Sequence, residues 1–230
     1  MPRTDSRERI LDAAERLFAE KGMRATSLRD IGAAAKANTG SIYFHFKTKA
    51  ALVREVFRRR LEPLDAERLA LLDACEKAAA PKAPGLEAVL DALIAPMLRL
   101  SGGGGRGATD FMRVLGRTYS ESDREFQDAL YEDHGHTMDR FRAALGRALP
   151  ALPDDQLALR FHFALGSVAF TMASDVTWKR LPTQRSRRGA RGGKGRPASG
   201  ERMLQELMPF LVAGFQAPYP HRIEGAESAA

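Results

Sequence analysis

Apolar residues recur at intervals of three and four along most of the chain, with charged residues between them, a pattern that predicts helix after helix. Ile10, Leu11, Ala14, Leu17 and Phe18 mark a helix over 5–21, and Gly22 after Lys21 supplies its stop. Leu28 and Ile31 belong to a short helix over 27–34, opened by a capping box of Ser27 and Asp30. Asn38 caps a third helix through Phe44. Thr48 caps a fourth that carries Leu52, Val53, Val56 and Phe57. Pro63 is expected to end or kink this fourth helix near 62, with a further helical pattern over 64–79.

The helical period continues beyond Pro81 and Pro84. Leu86, Val89, Leu90, Leu93, Ile94, Met97 and Leu98 form one stripe, with Pro96 inside it as a kink. The glycine-rich stretch Ser101–Gly107 reads as a flexible loop. Phe111, Val114, Leu115 and Tyr119 follow, then Phe126, Leu130, Met138, Phe141 and Leu145 within 123–148. Asp154 opens a long helix to about Trp178 that is apolar nearly all round, so it should be buried on more than one side. Residues 183–200 read as a disordered basic loop. A last helix over 201–216 shows Leu204, Leu207, Met208, Leu211 and Phe215, and 218–230 reads as a frayed tail. The fold class is all-α.

Charge changes the picture, because it is unevenly placed. The chain of 230 residues carries a formal net charge of +7. Residues 1–60 hold 14 Lys and Arg against 7 Asp and Glu, and 183–200 hold six basic residues and no acid, whereas the remainder is mildly acidic. A basic N-terminal segment suggests an anionic partner there, most simply nucleic acid. One cysteine, Cys75, excludes an intramolecular disulfide framework and a multi-cysteine metal site. No apolar stretch is long enough to predict a membrane span, and the N-terminus lacks the apolar core of a secretory signal. The expected setting is the reducing cytoplasm.

Candidate chemistry is thin. His134 and His136 fall on different sides of a helix, and neither a cysteine nor an H-E-x-x-H pattern joins them or His162, so no metal is expected. Ser120, Asp123 and His134 lack a nucleophile elbow or an oxyanion loop, and the glycine run lacks the GK[ST] ending of a phosphate loop. No catalytic residue, enzymatic activity or cofactor is assigned.

The second helix, the turn at 35–37 and the third helix have the size of a helix-turn-helix, in which the N-terminal residues of the second helix of the pair enter the major groove. Here those residues are Thr39, Gly40, Ser41 and Tyr43, with His45, Lys47 and Lys49 beyond them where phosphates would lie. Spacing alone leaves two readings open: a DNA-reading motif, or a generic three-helix bundle with a solvated basic face. A helical small-molecule-binding or scaffolding protein is the competing class of function.

The pieces ILDAAERLFAEKG, ATSLRDI and GSIYFHFKTKAAL stand in order over some 50 residues, and together they resemble the DNA-binding segment of the TetR/AcrR family of transcriptional regulators. The resemblance implies a three-helix helix-turn-helix domain over 1–47, followed by a helical ligand-binding and dimerisation domain over 48–230. It implies a cytoplasmic homodimer, most often a repressor, released from a palindromic double-stranded DNA operator by a small-molecule effector. Tyr43, His45 and Lys49 match positions that commonly touch the DNA backbone. Thr39, Gly40 and Ser41 sit where base edges are read, and Ser27 and Arg29 start a helix that can touch phosphate or a base. Phe44 and Phe46 match positions that pack inward. Lys36 stands where the family usually has glycine, Gly32 where it has alanine, and Ala50 or Ala51 where it has glutamate.

Farther along, FMRVLGRTYSE and FRAALGRALPALPDDQLALRFHFALGSVAF loosely resemble a subgroup that includes fatty-acid-responsive regulators. The family's dimer forms through its last two long helices, here about 155–178 and 201–216, with Gly166, Ser167 and Ala169 allowing close approach. The large apolar residues Met97, Phe111, Leu115, Tyr119, Phe141 and Phe161, outside the DNA-binding segment, are candidates for a ligand pocket that would favour a hydrophobic or amphipathic effector.

Overall fold

The computed structural model describes residues 6–103, 105–118, 124–173 and 199–219. Its elements in chain order are α1 (Ser6–Lys21), α2 (Leu28–Ala35), α3 (Thr39–Phe46), α4 (Lys49–Ala79), α5 (Leu86–Gly103), α6 (Gly105–Thr118), α7 (Arg124–Ala148), α8 (Asp154–Ala173) and α9 (Ser199–Gln216). Helix is the only regular structure among the described residues, as an all-α reading requires.

Helices α2, α3 and α4 start where side chains satisfy backbone groups that a helix leaves free. Ser27 Oγ accepts from the Asp30 amide at 3.1 Å, and the Asp30 carboxylate accepts from the Ser27 amide at 3.0 Å. The bond from the Ser27 hydroxyl and the one from its amide hold the Asp30 carboxyl below its ordinary value. Asn38 Oδ1 accepts from the Ser41 amide at 2.7 Å, and Thr48 Oγ1 from the Ala51 amide at 3.0 Å. α3 runs to Phe46 rather than Phe44, because Phe46 joins Ile42 in the core.

The turn between α2 and α3 is held in the left-handed region at Lys36, with φ 51° and ψ 43°. Its tightness explains another residue. A Cβ on Gly32 would lie 2.9 Å from the Ala37 carbonyl oxygen, so the alanine that the family resemblance leads one to expect there does not fit. Lys36→Gly should stabilise the protein by about 1 kcal/mol, since glycine adopts this conformation without the Cβ penalty. Thermal unfolding of the two proteins measures the difference.

Of the two outcomes expected at Pro63, an end or a kink with helix beyond it, the helix does not end: α4 continues through Pro63 to Ala79 and includes the helical pattern over 64–79. Pro63 is exposed, whereas Phe57 and Leu61 before it and Leu64 and Leu72 after it are buried, so packing on both sides holds the helix across the break. The stretch Ser101–Gly107, expected to be a loop, is helical at its described residues: α5 extends to Gly103 and α6 begins at Gly105. There the N-terminal turn of α6 lies against α1 and α4, and this tertiary contact overrides the poor helix propensity of glycine.

One contiguous core runs from Ile10 of α1 to Phe215 of α9. α4 and α5 pack on each other, α7 lies along α4, and α9 lies along α5. α6 is wedged between α1 and α8. α8 buries Leu157, Phe161, Ala164, Val168 and Ala169 on one side and exposes Leu159, Phe163 and Phe170 on the other. Ala169 therefore faces inward, unlike Gly166, which is open to solvent. Ser199 and Gly200, expected in the basic loop, belong to α9. The rest of that loop, Tyr119 and Trp178 lie outside the described residues.

Candidate functional site

α3 is short, so its two faces are easily separated. Ile42 and Phe46, one turn apart, are buried and fix the inward side. Thr39, Gly40 and Tyr43 are exposed on the other. Ser41 is half-buried at the rim, its hydroxyl 3.1 Å from that of Ser6. His45 is half-buried between the rings of Phe44 and Phe46. Ser27 and Arg29 are exposed at the start of α2, and Lys49 Nζ, at the start of α4, reaches the Arg24 carbonyl at 3.4 Å. The sequence-assigned residues on these three helix starts thus lie on the exposed or rim positions of one three-helix unit.

Phe44 departs from expectation. It is 74% exposed, not packed inward. Position 44 is about 200° around the helix from Ile42 and about 160° from Phe46, directly opposite the core face. Its ring carries the Lys47 ammonium, 5.9 Å from the centroid. Reasoning by resemblance places Phe44 inward, although helical arithmetic on Ile42 and Phe46 turns it to the outer face.

An ion-pair cluster ties this unit to the body of the protein. Glu15 of α1 is 2% exposed and accepts from Arg59 Nη2 at 2.7 Å and from Arg60 Nε and Nη2 at 3.0 and 2.7 Å. Arg59 Nη1 also reaches Asp12 at 2.7 Å and Glu8 at 3.2 Å. Arg7 pairs with Glu55, and Arg58 holds the same carboxylate. Arg58, foremost, and Arg7 keep the Glu55 carboxyl below its usual value against the opposing effect of burial. Gly107 of α6 abuts the cluster: a Cβ there would meet Arg60 Nη2 at 2.6 Å and Glu15 Oε1 at 3.2 Å.

In the body, Met97, Phe111, Leu115, Phe141 and Phe161 are all buried in the common core, with the Phe111 ring edge-on to Phe57 of α4 at 5.5 Å. A second polar cluster lies among these helices. Asp65 and Arg68 of α4 are 5% and 4% exposed. Arg68 donates to the Leu93 carbonyl at 2.8 Å and to Asp65 Oδ1 at 3.3 Å, and its Nη2 lies 3.4 Å from Met97 Sδ. His134 Nδ1 of α7 is 2.9 Å from Asp65 Oδ2. His136 instead bonds Thr137, at 3.3 Å. No helix among the described residues is long and apolar enough to cross a membrane.

Known proteins share both halves of this architecture. The model for bacterial regulatory proteins of the tetR family matches residues 10–56, and that for the tetracyclin repressor-like C-terminal domain matches 91–214. The chain is 48% identical over 58 residues to the HTH-type transcriptional repressor KstR2 of Rhodococcus jostii, covering 25% of this chain and 28% of that protein. It is 45% identical over 53 residues to the HTH-type transcriptional regulator AcrR of Shigella flexneri, covering 23% and 25%. These matches span only about a quarter of the relatives' length. Among solved structures, the fatty acid degradation regulator FadR of Bacillus halodurans superposes with TM-score 0.59 at 14% identity, covering 96% of this chain and all of that one. KstR2 of Mycobacterium tuberculosis does so with TM-score 0.58 at 21% identity (92% and 95%), and a SmeT–triclosan complex with 0.58 at 20% (94% and 99%). At these identities the likeness is one of fold.

Proposed function

We propose, for a chain that belongs to the TetR family of bacterial regulatory proteins, a homodimeric repressor that binds a palindromic double-stranded DNA operator and leaves it when a hydrophobic or amphipathic effector occupies the body. The observation that carries the reading is the outward face of α3. Thr39, Gly40, Tyr43 and Phe44 project away from the core, with the Lys47 ammonium over the Phe44 ring and Arg29 exposed at the start of the preceding helix. A helix with small, hydroxylated and aromatic groups at its tip and cations at its edges fits a major groove flanked by phosphates. In this reading Thr39, Gly40 and Ser41 meet base edges, Tyr43, His45 and Lys49 meet the backbone, and Ser27 and Arg29 meet phosphate or a base. Residues 1–47 read DNA, and 48–230 bind the effector and the second protomer. Met97, Phe111, Leu115, Tyr119, Phe141 and Phe161 line or border the effector site, whose apolar character disfavours sugars and nucleotides.

Selection of genomic fragments with the purified protein, followed by footprinting, tests the reading. The expected result is a palindrome with half-site centres ~34–36 Å apart and affinity that falls steeply with salt. Recovery of no common sequence would leave a helical ligand-binding protein as the better account.

Phe44 adds a residue-level expectation. An exposed phenyl ring on a groove-facing helix contacts the one apolar group that the major groove displays, the thymine 5-methyl. Replacing thymine by uracil one position at a time in the selected operator should weaken binding by about 1 kcal/mol at one position per half-site, and Phe44→Ala should erase that difference. Fluorescence anisotropy with the substituted duplexes gives the measurement.

A further inference from the structure

The polar cluster of Asp65, Arg68 and His134 is costly where it stands. Asp65 and Arg68 form an ion pair more than nine-tenths buried, in a setting where apolar replacements are often at least as stable. Their partners come from α5 and α7, so the cluster sits where α4, α5 and α7 meet. The His134 side chain is only 12% exposed. One of its ring nitrogens is spoken for by Asp65. The other, Nε2, is closed off from solvent and has no hydrogen-bond partner among the described residues. A buried polar atom left in that state costs about 1–3 kcal/mol, and such an atom calls for an explanation.

The chemistry of the missing partner follows from protonation. In the neutral imidazole the Asp65 carboxylate accepts from Nδ1–H, and the lone pair then lies on Nε2. Arg68 and Asp65 offset each other in charge, so nothing in the cluster is left over to hold an ion, and a cation would be repelled by the nearby guanidinium. What Nε2 requires is a neutral donor. Met97, whose Sδ lies 3.4 Å from Arg68 Nη2, and the buried residues of the α5 stripe make the α5 side of the cluster apolar. We propose that His134 Nε2 accepts a hydrogen bond from the hydroxyl of a neutral, otherwise apolar effector, an alcohol or a phenol, held between α4, α5 and α7. This deepens the effector-responsive reading above and rests on it. It also says why such a molecule would act on DNA: two of the three cluster residues belong to α4, whose first residue stands only three positions after the last of the recognition helix.

The test uses the full-length dimer free of DNA and a series of 4-alkylphenols from propyl to dodecyl, each paired with its methyl ether. Binding is read by calorimetry. The series covers the length of the apolar part, and the ether removes only the donor. In the native protein the best phenol should bind about tenfold tighter than its ether, the value of one buried hydrogen bond. His134→Phe should abolish the preference by weakening the phenol alone. His134→Gln, whose side-chain carbonyl keeps an acceptor at this place, should retain part of it and guards against a folding defect in the phenylalanine variant. Equal binding of phenol and ether, binding of neither across the series, or an undiminished preference in His134→Phe overturns the proposal. Operator release by the same phenols is a separate measurement. A phenol preference at His134 without release would sink the effector-responsive reading while leaving the site in place.

Discussion

Glu15→Ala should lower the free energy of unfolding by about 3–5 kcal/mol, the usual consequence of removing one partner of a buried ion pair. Two guanidiniums converge on this single carboxylate, and Arg60 would lose both of the bonds it makes there. Arg59 would keep Asp12 and Glu8. The cavity would open beneath Gly107, where a Cβ on the α6 backbone would already press on the Arg60 guanidinium. Glu15→Gln preserves the shape and some of the bonds and should cost less than the alanine. Urea unfolding of the full chain, with both variants beside the native protein, settles the order. A loss below about 1 kcal/mol for the alanine would mean that the cluster is solvated and contributes no more than a surface pair.

The double substitution Phe163→Asp with Phe170→Asp should leave a folded monomer whose operator affinity is at least about 100-fold weaker, the lower end of what linking two half-site contacts contributes. Leu159, Phe163, Gly166 and Phe170 follow one another at spacings of four, three and four, the seam spacing of packed helices. Leu159, Phe163 and Phe170 are 48%, 63% and 69% exposed. α9, tied to α8 by Arg160 donating to the Phe215 carbonyl at 2.6 Å, adds Phe210 at 64% exposure and the open Gly214. A face of this size and polarity on a lone protomer invites association, and glycines within it allow helices to approach closely. Aspartates there put like charges opposite each other in a twofold interface. Binding to the second half-site then ceases to be intramolecular, which removes a factor of about 10²–10⁴. Light scattering reports the mass and anisotropy the affinity. A stable dimer after the double substitution would move the interface elsewhere.

Most of the DNA-facing unit is legible in the amino-acid sequence. Its caps are set by local chemistry: Ser27, Asn38 and Thr48 each bond an amide within three residues, so a short window of sequence contains both partners. Ile42 and Phe46 fix the core face of α3 by their spacing alone. Phe44 runs against expectation because family resemblance and helical spacing disagree there, and the spacing is the better guide. Contacts between distant segments are what a sequence does not display. The helical state of the glycines near 105 depends on α1, some 90 residues away. The continuity of α4 past Pro63 depends on apolar residues whose neighbours lie on other helices. The Asp65–His134 contact spans 69 positions, and no motif joins them.

The recognition helix is connected to the body twice. One connection is the unbroken α4, and the other is α6, whose first turn sits on α1 through Gly107, Glu15 and Arg60. A rigid body gripped at two separated points retains a single easy motion, rotation about the line that joins them. Held in this way, the three DNA-facing helices are hinged rather than tethered, with rotation about that one axis the displacement least opposed by their contacts. In the repressor proposed above, a shift of α4 would be converted into that rotation, and the protomers of a twofold dimer would turn in symmetry-related directions. The separation between the two recognition helices would then have one coordinate on which to change, and a small displacement inside the body would suffice to mismatch a fixed DNA repeat.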